Sequence, residues 1–247
     1  MEILTFDSDE EVQSRSALLD LFAQSKVSHD QILGNLGLFL DGKNLSRILL
    51  MDDLYKRIVD VPGVVMDFGT RWGHNMALFQ TLRGIYEPFN RHRKVLGFDT
   101  FQGFPSVEAE DGESPLMYSG NLRVSDHYVD YLTELMDTHE RLSPLSHIPK
   151  NQVIQGDATV ELQQYLSSNP QTIVALAYFD FDIYQPTKIC LELIRDRVTK
   201  GSVIAFDELN DEDSPGETRA LMEVFGLPNI RLQRFRFASR VSFFVVE

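Results

Sequence analysis

The sequence predicts an α/β protein: a mostly parallel sheet with helices on both faces and an antiparallel edge. Three observations carry this. From Val64 onward, short apolar runs alternate with amphipathic helical stretches, the pattern of strands joined by crossover helices. The run "TIVALAYFD" is apolar without alternation, as a strand covered on both faces must be. The chain closes with "NIRLQRFRF" and "VSFFVVE", separated by Ala238-Ser239-Arg240, which reads as an antiparallel pair at the sheet edge.

Residues 1 to about 60 read as mostly helical, with "ILLMDDLYKRIVD" the clearest amphipathic piece. They form a helical N-terminal extension, 1–60, ahead of a main domain, 61–247. In that domain "GVVMDFG" is a first strand closed by Asp67 and Gly69, and a helix follows over Asn75 to Arg83. "KVLGFDTF" is a second strand ending at Asp99. A long insert, 106–150, comes next, with an acidic loop "EAEDGES" and a helical "DHYVDYLTELMDTHERL". Its length is that of a lid or substrate-recognition element. Together with the N-terminal region it is expected to close over a substrate, with "EAEDGES" as its mobile tip. "NQVIQGD" is a third strand ending at Asp157, and Ala158 to Leu166 is helical behind it. After "TIVALAYFD", a helix carries Pro186 in its first turn and Gly201 past its end, the usual asymmetry of start and stop. "SVIAFD" is the fifth strand.

The composition sets limits on partners. With 23 Lys and Arg against 37 Asp and Glu, the formal charge of the 247 residues is −14. That charge repels a nucleic-acid backbone and an anionic membrane, so neither is expected as a partner. It also serves solubility alone. The single Cys190 excludes an internal disulfide and a Cys-based zinc cage, and its apolar helical setting reads as a packed thiol. The opening "MEILTFDSDEEVQSRS" has no secretory pattern and no run reaches the length of a membrane span, so a cytoplasmic location is expected.

The chemistry concentrates at the strand ends. In an open parallel sheet, ligands bind in the crevice beyond the carboxyl ends of the strands. Here those ends carry Asp67, Asp99, Asp157, Asp180 with Asp182, and Asp207 with Glu208. Any one of them is explained by helix capping. Acids at all five ends would repel each other unless something cationic sits among them. The first turn, "DFGTRWG", is Asp-x-Gly-x-x-x-Gly and matches neither a dinucleotide-binding glycine fingerprint nor a phosphate loop. A ligand without phosphates, carrying a sulfonium, an ammonium and a ribose, suits glycine turns ringed by carboxylates. S-adenosylmethionine (SAM) is such a ligand. Asp67, Gly69 and Gly73 would cradle it, Asp99 would accept both ribose hydroxyls, and Asp157 with Ala158 would meet the adenine. Phe101 and Trp72 would offer aromatic faces to the pocket, although Trp72 reads equally well as a core filler.

At these residues the sequence resembles the macrocin O-methyltransferase family, SAM-dependent enzymes that methylate sugar hydroxyls of natural products. The matching pieces are "VPGVVMDFGTRWG", "VLGFDTFQGFP", "YFDFDIYQPTKICLELI" and "KGSVIAFDEL", in order from Val61 to Leu209. The resemblance implies the SAM-dependent methyltransferase (Rossmann-like) fold, with a seven-stranded mixed sheet. It implies Mg2+, or Mn2+ as a substitute, held by carboxylates after the fourth and fifth strands. Those strands are expected to be neighbours, which would let Asp180, Asp207 and Glu208 converge on one octahedral ion. Asp182, or a carboxylate nearby, would take the acceptor's proton. It also implies a homo-oligomer, a dimer or tetramer, acting on a small glycosylated acceptor. The chain departs from the family pattern at Glu208, where Asp is usual, at Phe181, where Gly is usual, and in the turn "RWGHN". Within the fold the alternatives are an N-methyltransferase of an amino sugar and a catechol-type O-methyltransferase. Outside it they are a nucleotide-binding oxidoreductase and a catalytically silent methyltransferase fold.

Overall fold

The computed structural model of the protein describes residues 7–238 and 240–247. The start of the expected N-terminal extension and Ser239 of the expected hairpin turn lie outside the described residues. The chain divides into two compact units, Met1–Leu49 and Leu50–Glu247.

In the smaller unit, α1 (Asp9–Ala23) starts at a capping box. The Glu11 N–H donates to Ser8 Oγ, and the Ser8 N–H donates to Glu11 Oε2 at 2.7 Å, which satisfies two donors that a helix start leaves unpaired. A 3-10 segment over His29–Phe39 bends at Asn35. Phe22 and Phe39 meet edge to face at 5.0 Å. Helix α2 (Gly42–Ile58) runs on into the larger unit, where Leu50, Met51, Leu54, Tyr55 and Ile58 are buried.

Among the described residues of the larger unit, seven strands form one sheet in the order β3-β2-β1-β4-β5-β7-β6. These are β1 (Val64–Phe68), β2 (Val95–Asp99), β3 (Asn151–Gln155), β4 (Val174–Phe179), β5 (Val198–Phe206), β6 (Gln233–Arg234) and β7 (Ser242–Val245). The first five are parallel, and β7 lies antiparallel to both β5 and β6. The expected seven-stranded mixed sheet is therefore present. Every residue of β1 and β4 is buried, because these central strands have helices on both faces. One face packs Met66, Phe68, Phe179 and Phe206 against α5 (Ala158–Ser168), α6 (Tyr184–Arg195) and α7 (Gly216–Val224). The other packs Val65, Tyr178 and Val203 with residues of α2, α3 (His74–Tyr86) and α4 (Tyr128–Arg141). This is the period-2 alternation of a strand, expressed as two cores.

Three expectations need correction. Gly201 does not stop the helix after β4. Helix α6 ends at Arg195, and Gly201 lies inside β5 with φ 91°. An added Cβ there would come 2.9 Å from Val61, and the strand begins at Val198, ahead of its apolar run. The terminal pair is short on one side, because only Gln233 and Arg234 of "NIRLQRFRF" pair with β7. Helix α7 is an addition to the elements expected from the sequence.

Part of the insert is anchored to the main domain. Glu140 of α4 lies 2.7 Å from Arg83 Nη2 and 2.6 Å from Lys150 Nζ, all three side chains being buried. This triad ties α4 to α3 and to the start of β3. Within "EAEDGES", Asp111 is buried and its Oδ1 accepts the Tyr184 N–H at 2.6 Å. That bond satisfies a donor at the start of α6. Among the described residues no helix is long and apolar enough to cross a membrane.

Candidate active site

Four phenylalanines set the level of the site. Phe98, Phe68, Phe179 and Phe206 lie in register across β2, β1, β4 and β5. Their rings stack pairwise at 5.1, 4.7 and 5.3 Å between centroids. The residue after each Phe is Asp99, Gly69, Asp180 and Asp207 respectively. An apolar ladder thus presents four expected site residues side by side at one edge of the sheet, where the order reverses around β1 and β4.

The turn after β1 needs its glycines. Gly69 has φ 84°, and a Cβ there would come 2.0 Å from the Asp180 carbonyl oxygen. Gly73 has φ 75° at the start of α3, and its Cβ would strike Leu132 at 2.4 Å. Asp67 is wholly buried within β1. Asp99 accepts the Arg71 N–H on Oδ2 at 2.8 Å and the Phe101 N–H on Oδ1 at 2.5 Å. Phe101 itself is buried and held at φ 59°. Burial pushes the Asp99 carboxyl above its ordinary range, against the opposing pull of these two N–H groups. Asp157 caps α5, accepting the Thr159 N–H at 2.9 Å and the Thr159 hydroxyl at 2.7 Å, and Ala158 beside it is buried. For Asp157 the capping explanation is thus realised. Trp72 is no core filler. It is 44% exposed, stands edge-on to Tyr128 at 4.7 Å, and its carbonyl accepts the Tyr128 hydroxyl.

The second group surrounds the ends of β4 and β5. Asn75 Nδ2 reaches Asp180 Oδ2 at 3.5 Å. Asp207 Oδ1 accepts the Tyr178 hydroxyl at 2.5 Å, a bond between neighbouring strands. Asp182 sits at φ 63°, a conformation that non-glycine residues seldom take. Burial, then Glu208, Asp180, Glu217 and Asp207 in turn, drive the Asp182 carboxyl well above its usual range. Five carboxylates therefore repel one another here. Glu208 is buried, its own carboxyl raised chiefly by burial, and Arg240 Nη1 opposes this from 2.7 Å. The same guanidinium lies 3.0 Å from Asp211.

Glu217 and Arg240 went unnoticed in the sequence. Glu217 is fully buried in the first turn of α7. The apolar positions Ala220, Leu221 and Val224 are the signal that could have revealed that helix. Arg240 had no sequence signal, because only the hairpin brings it back to β5.

Oxygen donors of this kind are what a hard divalent cation takes. Glu208 Oε2 is buried, with Ser214 and Asp182 as hydrogen-bonding neighbours of its carboxyl, and such an ion would meet it there. The residues fit the ion in donor chemistry and in charge. Among the described residues, however, no three His, Cys, Asp or Glu side chains are gathered into a ready coordination shell.

No protein-family model and no curated protein matches the chain. Solved structures do. The crystal structure of CalS11, calicheamicin methyltransferase, is 40% identical over 98% of this chain and 94% of that one, with a TM-score of 0.95. The apo structure of CalS11, a TDP-rhamnose 3'-O-methyltransferase in calicheamicin biosynthesis, is 37% identical over 98% of this chain and 96% of that one, with a TM-score of 0.87. The O-methyltransferase NovP shares the fold, at 19% identity over 82% of this chain and 80% of that one, with a TM-score of 0.61.

Proposed function

The chain belongs to the macrocin O-methyltransferase family of SAM-dependent sugar O-methyltransferases, and we propose that it methylates a hydroxyl of a deoxysugar carried by a nucleotide or a natural-product scaffold, with a divalent cation at the acceptor. One observation carries the reading. The acids at the ends of β2, β4 and β5 lie level at one edge of the sheet, with Gly69 after β1 between the first two, in a chain similar, over nearly its whole length, to an enzyme of TDP-rhamnose 3'-O-methylation.

SAM supplies a methyl group on a positively charged sulfur, and the protein's task is to hold that methyl in line with an acceptor oxygen. Asp99 is suited to the ribose: each of its oxygens already accepts one backbone N–H and retains capacity for a hydroxyl. The left-handed Gly69 and Gly73 bring the backbone of the first turn close, with no side chain in the way. Asp67, Phe101 and Ala158 complete the proposed wall, and Asp157 contributes through the start of α5, which it caps.

The acceptor side falls to Asp180, Asp207 and Glu208, which would hold Mg2+ or Mn2+. When bound, such a cation lowers the pKa of a sugar hydroxyl and fixes its oxygen. Asp182, buried beside these acids at the end of the loop after β4, is the proposed proton acceptor. Arg240 competes for Glu208 and would have to share or release it. Oxygen rather than nitrogen as the site of methylation agrees with the similarity to a 3'-O-methyltransferase. A homo-oligomer is part of the same proposal.

The test is an acceptor screen with SAM and Mg2+, using TDP-deoxysugars, free deoxysugars and glycosylated macrocycles. The expected product carries one new O-methyl group on the sugar. Tight SAM binding with no transfer to any sugar would favour a silent fold. Preference for a nicotinamide over SAM in calorimetry would overturn the assignment.

A further inference from the structure

We infer that Glu217 is a positioning residue that sets the spacing between the two acid-bearing loops, 180–182 after β4 and 207–208 after β5, and with it the divalent-cation site. This rests on the cation reading proposed above.

The geometry is specific. Glu217 Oε1 accepts the N–H of Phe181 at 3.0 Å and of Asp182 at 3.4 Å, both in the loop after β4. Its Oε2 accepts the Glu208 N–H at 3.3 Å, in the loop after β5. One carboxylate thus joins the backbones of two loops just beyond the last ladder bond, from the Asp207 N–H to the Phe179 carbonyl. The residue before it is shaped for this reach. An added Cβ at Gly216 would come 2.5 Å from the Tyr184 nitrogen and 2.9 Å from the Asp182 carbonyl oxygen. Only a glycine lets the first turn of α7 press this closely on the loop.

A simpler account is that an acid in the first turn of a helix complements its dipole. That would be served by an exposed side chain pointing at its own helix. Glu217 is instead 0% exposed and spends both oxygens on other segments. It does so among four further carboxylates, which makes its place costly unless the arrangement is used. Glu217 touches neither acceptor nor cofactor in this account. It acts through Asp180, Asp182, Asp207 and Glu208.

Glu217→Gln keeps the shape but replaces one acceptor oxygen with an NH2 group, which cannot accept from a backbone N–H. The experiment measures Mn2+ binding by electron paramagnetic resonance and SAM binding by calorimetry, on the wild type, Glu217→Gln, Gly216→Ala and Glu223→Gln. The last is a control on the exposed side of α7, paired with Lys188 and Tyr184. The account expects Mn2+ affinity to fall about 10–100-fold in Glu217→Gln, the range for residues that orient metal ligands. SAM affinity should stay near wild type in that variant, and the control should match wild type in both. Undiminished Mn2+ binding in Glu217→Gln overturns the inference and leaves the cation reading standing. If the wild type itself binds no Mn2+, the cation reading falls and takes the inference with it. If Glu217→Gln fails to fold or loses SAM as well, Gly216→Ala decides. It shifts the turn while keeping the carboxylate, and weakened Mn2+ binding with intact SAM binding supports the inference. Unchanged Mn2+ binding in Gly216→Ala then overturns it.

Discussion

The carboxylate of Asp99, at the end of β2, accepts the backbone N–H of Arg71, in the turn after β1, at 2.8 Å. The acid proposed for the ribose and the glycine turn proposed to cradle SAM are thereby one unit. Asp99→Ala removes the acceptor for both ribose hydroxyls and loosens that turn. Each charge-assisted hydrogen bond is worth about 1.5–3 kcal/mol. The loss for two bonds is then at least about 3 kcal/mol, or roughly a hundredfold in affinity. Calorimetry with SAM checks this, and wild-type affinity in the variant would remove Asp99 from the cofactor site.

Asp207→Asn separates the two halves of the site. Asp207 accepts the Tyr178 hydroxyl and neighbours Glu208, on the acceptor side. The variant is expected to bind SAM nearly as wild type does, while turnover collapses. Parallel loss of SAM affinity and turnover would place Asp207 with the cofactor instead.

Glu140 links stability to pH. Burial alone would raise its carboxyl, but Lys150 and Arg83 outweigh burial and hold it below its ordinary value. A carboxyl lowered in the folded state binds fewer protons folded than unfolded. Its stabilisation is therefore present above the unfolded value, about 4.3, and is lost as pH falls through the lowered folded value. Glu140→Gln leaves Arg83 and Lys150 buried without their counter-charge, at a cost of about 3–5 kcal/mol near neutral pH. Urea unfolding should show the gap between wild type and variant closing in acid. A gap that does not change with pH would show the triad to be a packing feature only.

The same triad predicts where the insert moves. Hydrogen exchange should be slow across α4 with or without acceptor, because α4 is anchored through Glu140, Leu132 and Met136. Protection gained on adding acceptor should appear in the stretch between Asp111 and α4. Fast exchange throughout α4 in the free protein would show that the whole insert moves as the lid.

The sheet was readable because its central strands are apolar runs, those of β2, β4 and β5 stopping at an acid, and because the two-faced burial of β4 leaves no alternation to confuse with a helix. The Phe ladder explains why those acids come out level, although the sequence shows only four separate runs. What it concealed depends on distance along the chain. Glu217 lies in a stretch so acidic that it reads as solvated, yet α7 folds it inward against backbone N–H groups of two other loops. Arg240 reaches Glu208 only because β7 runs back beside β5. Gly201 misled for a local reason, since a glycine after a helical stretch is the usual stop signal, whereas here it serves a strand.

The central claim is cation-assisted methylation of a sugar hydroxyl, and turnover in the presence and absence of chelator tests it most directly. With SAM and a TDP-deoxysugar, the account predicts a singly O-methylated sugar that vanishes when the protein is stripped of divalent ions. Activity should return on adding Mg2+ or Mn2+, and Asp207→Asn should not recover it. Methyl transfer that continues undiminished in chelator, in wild type and Asp207→Asn alike, would contradict the account.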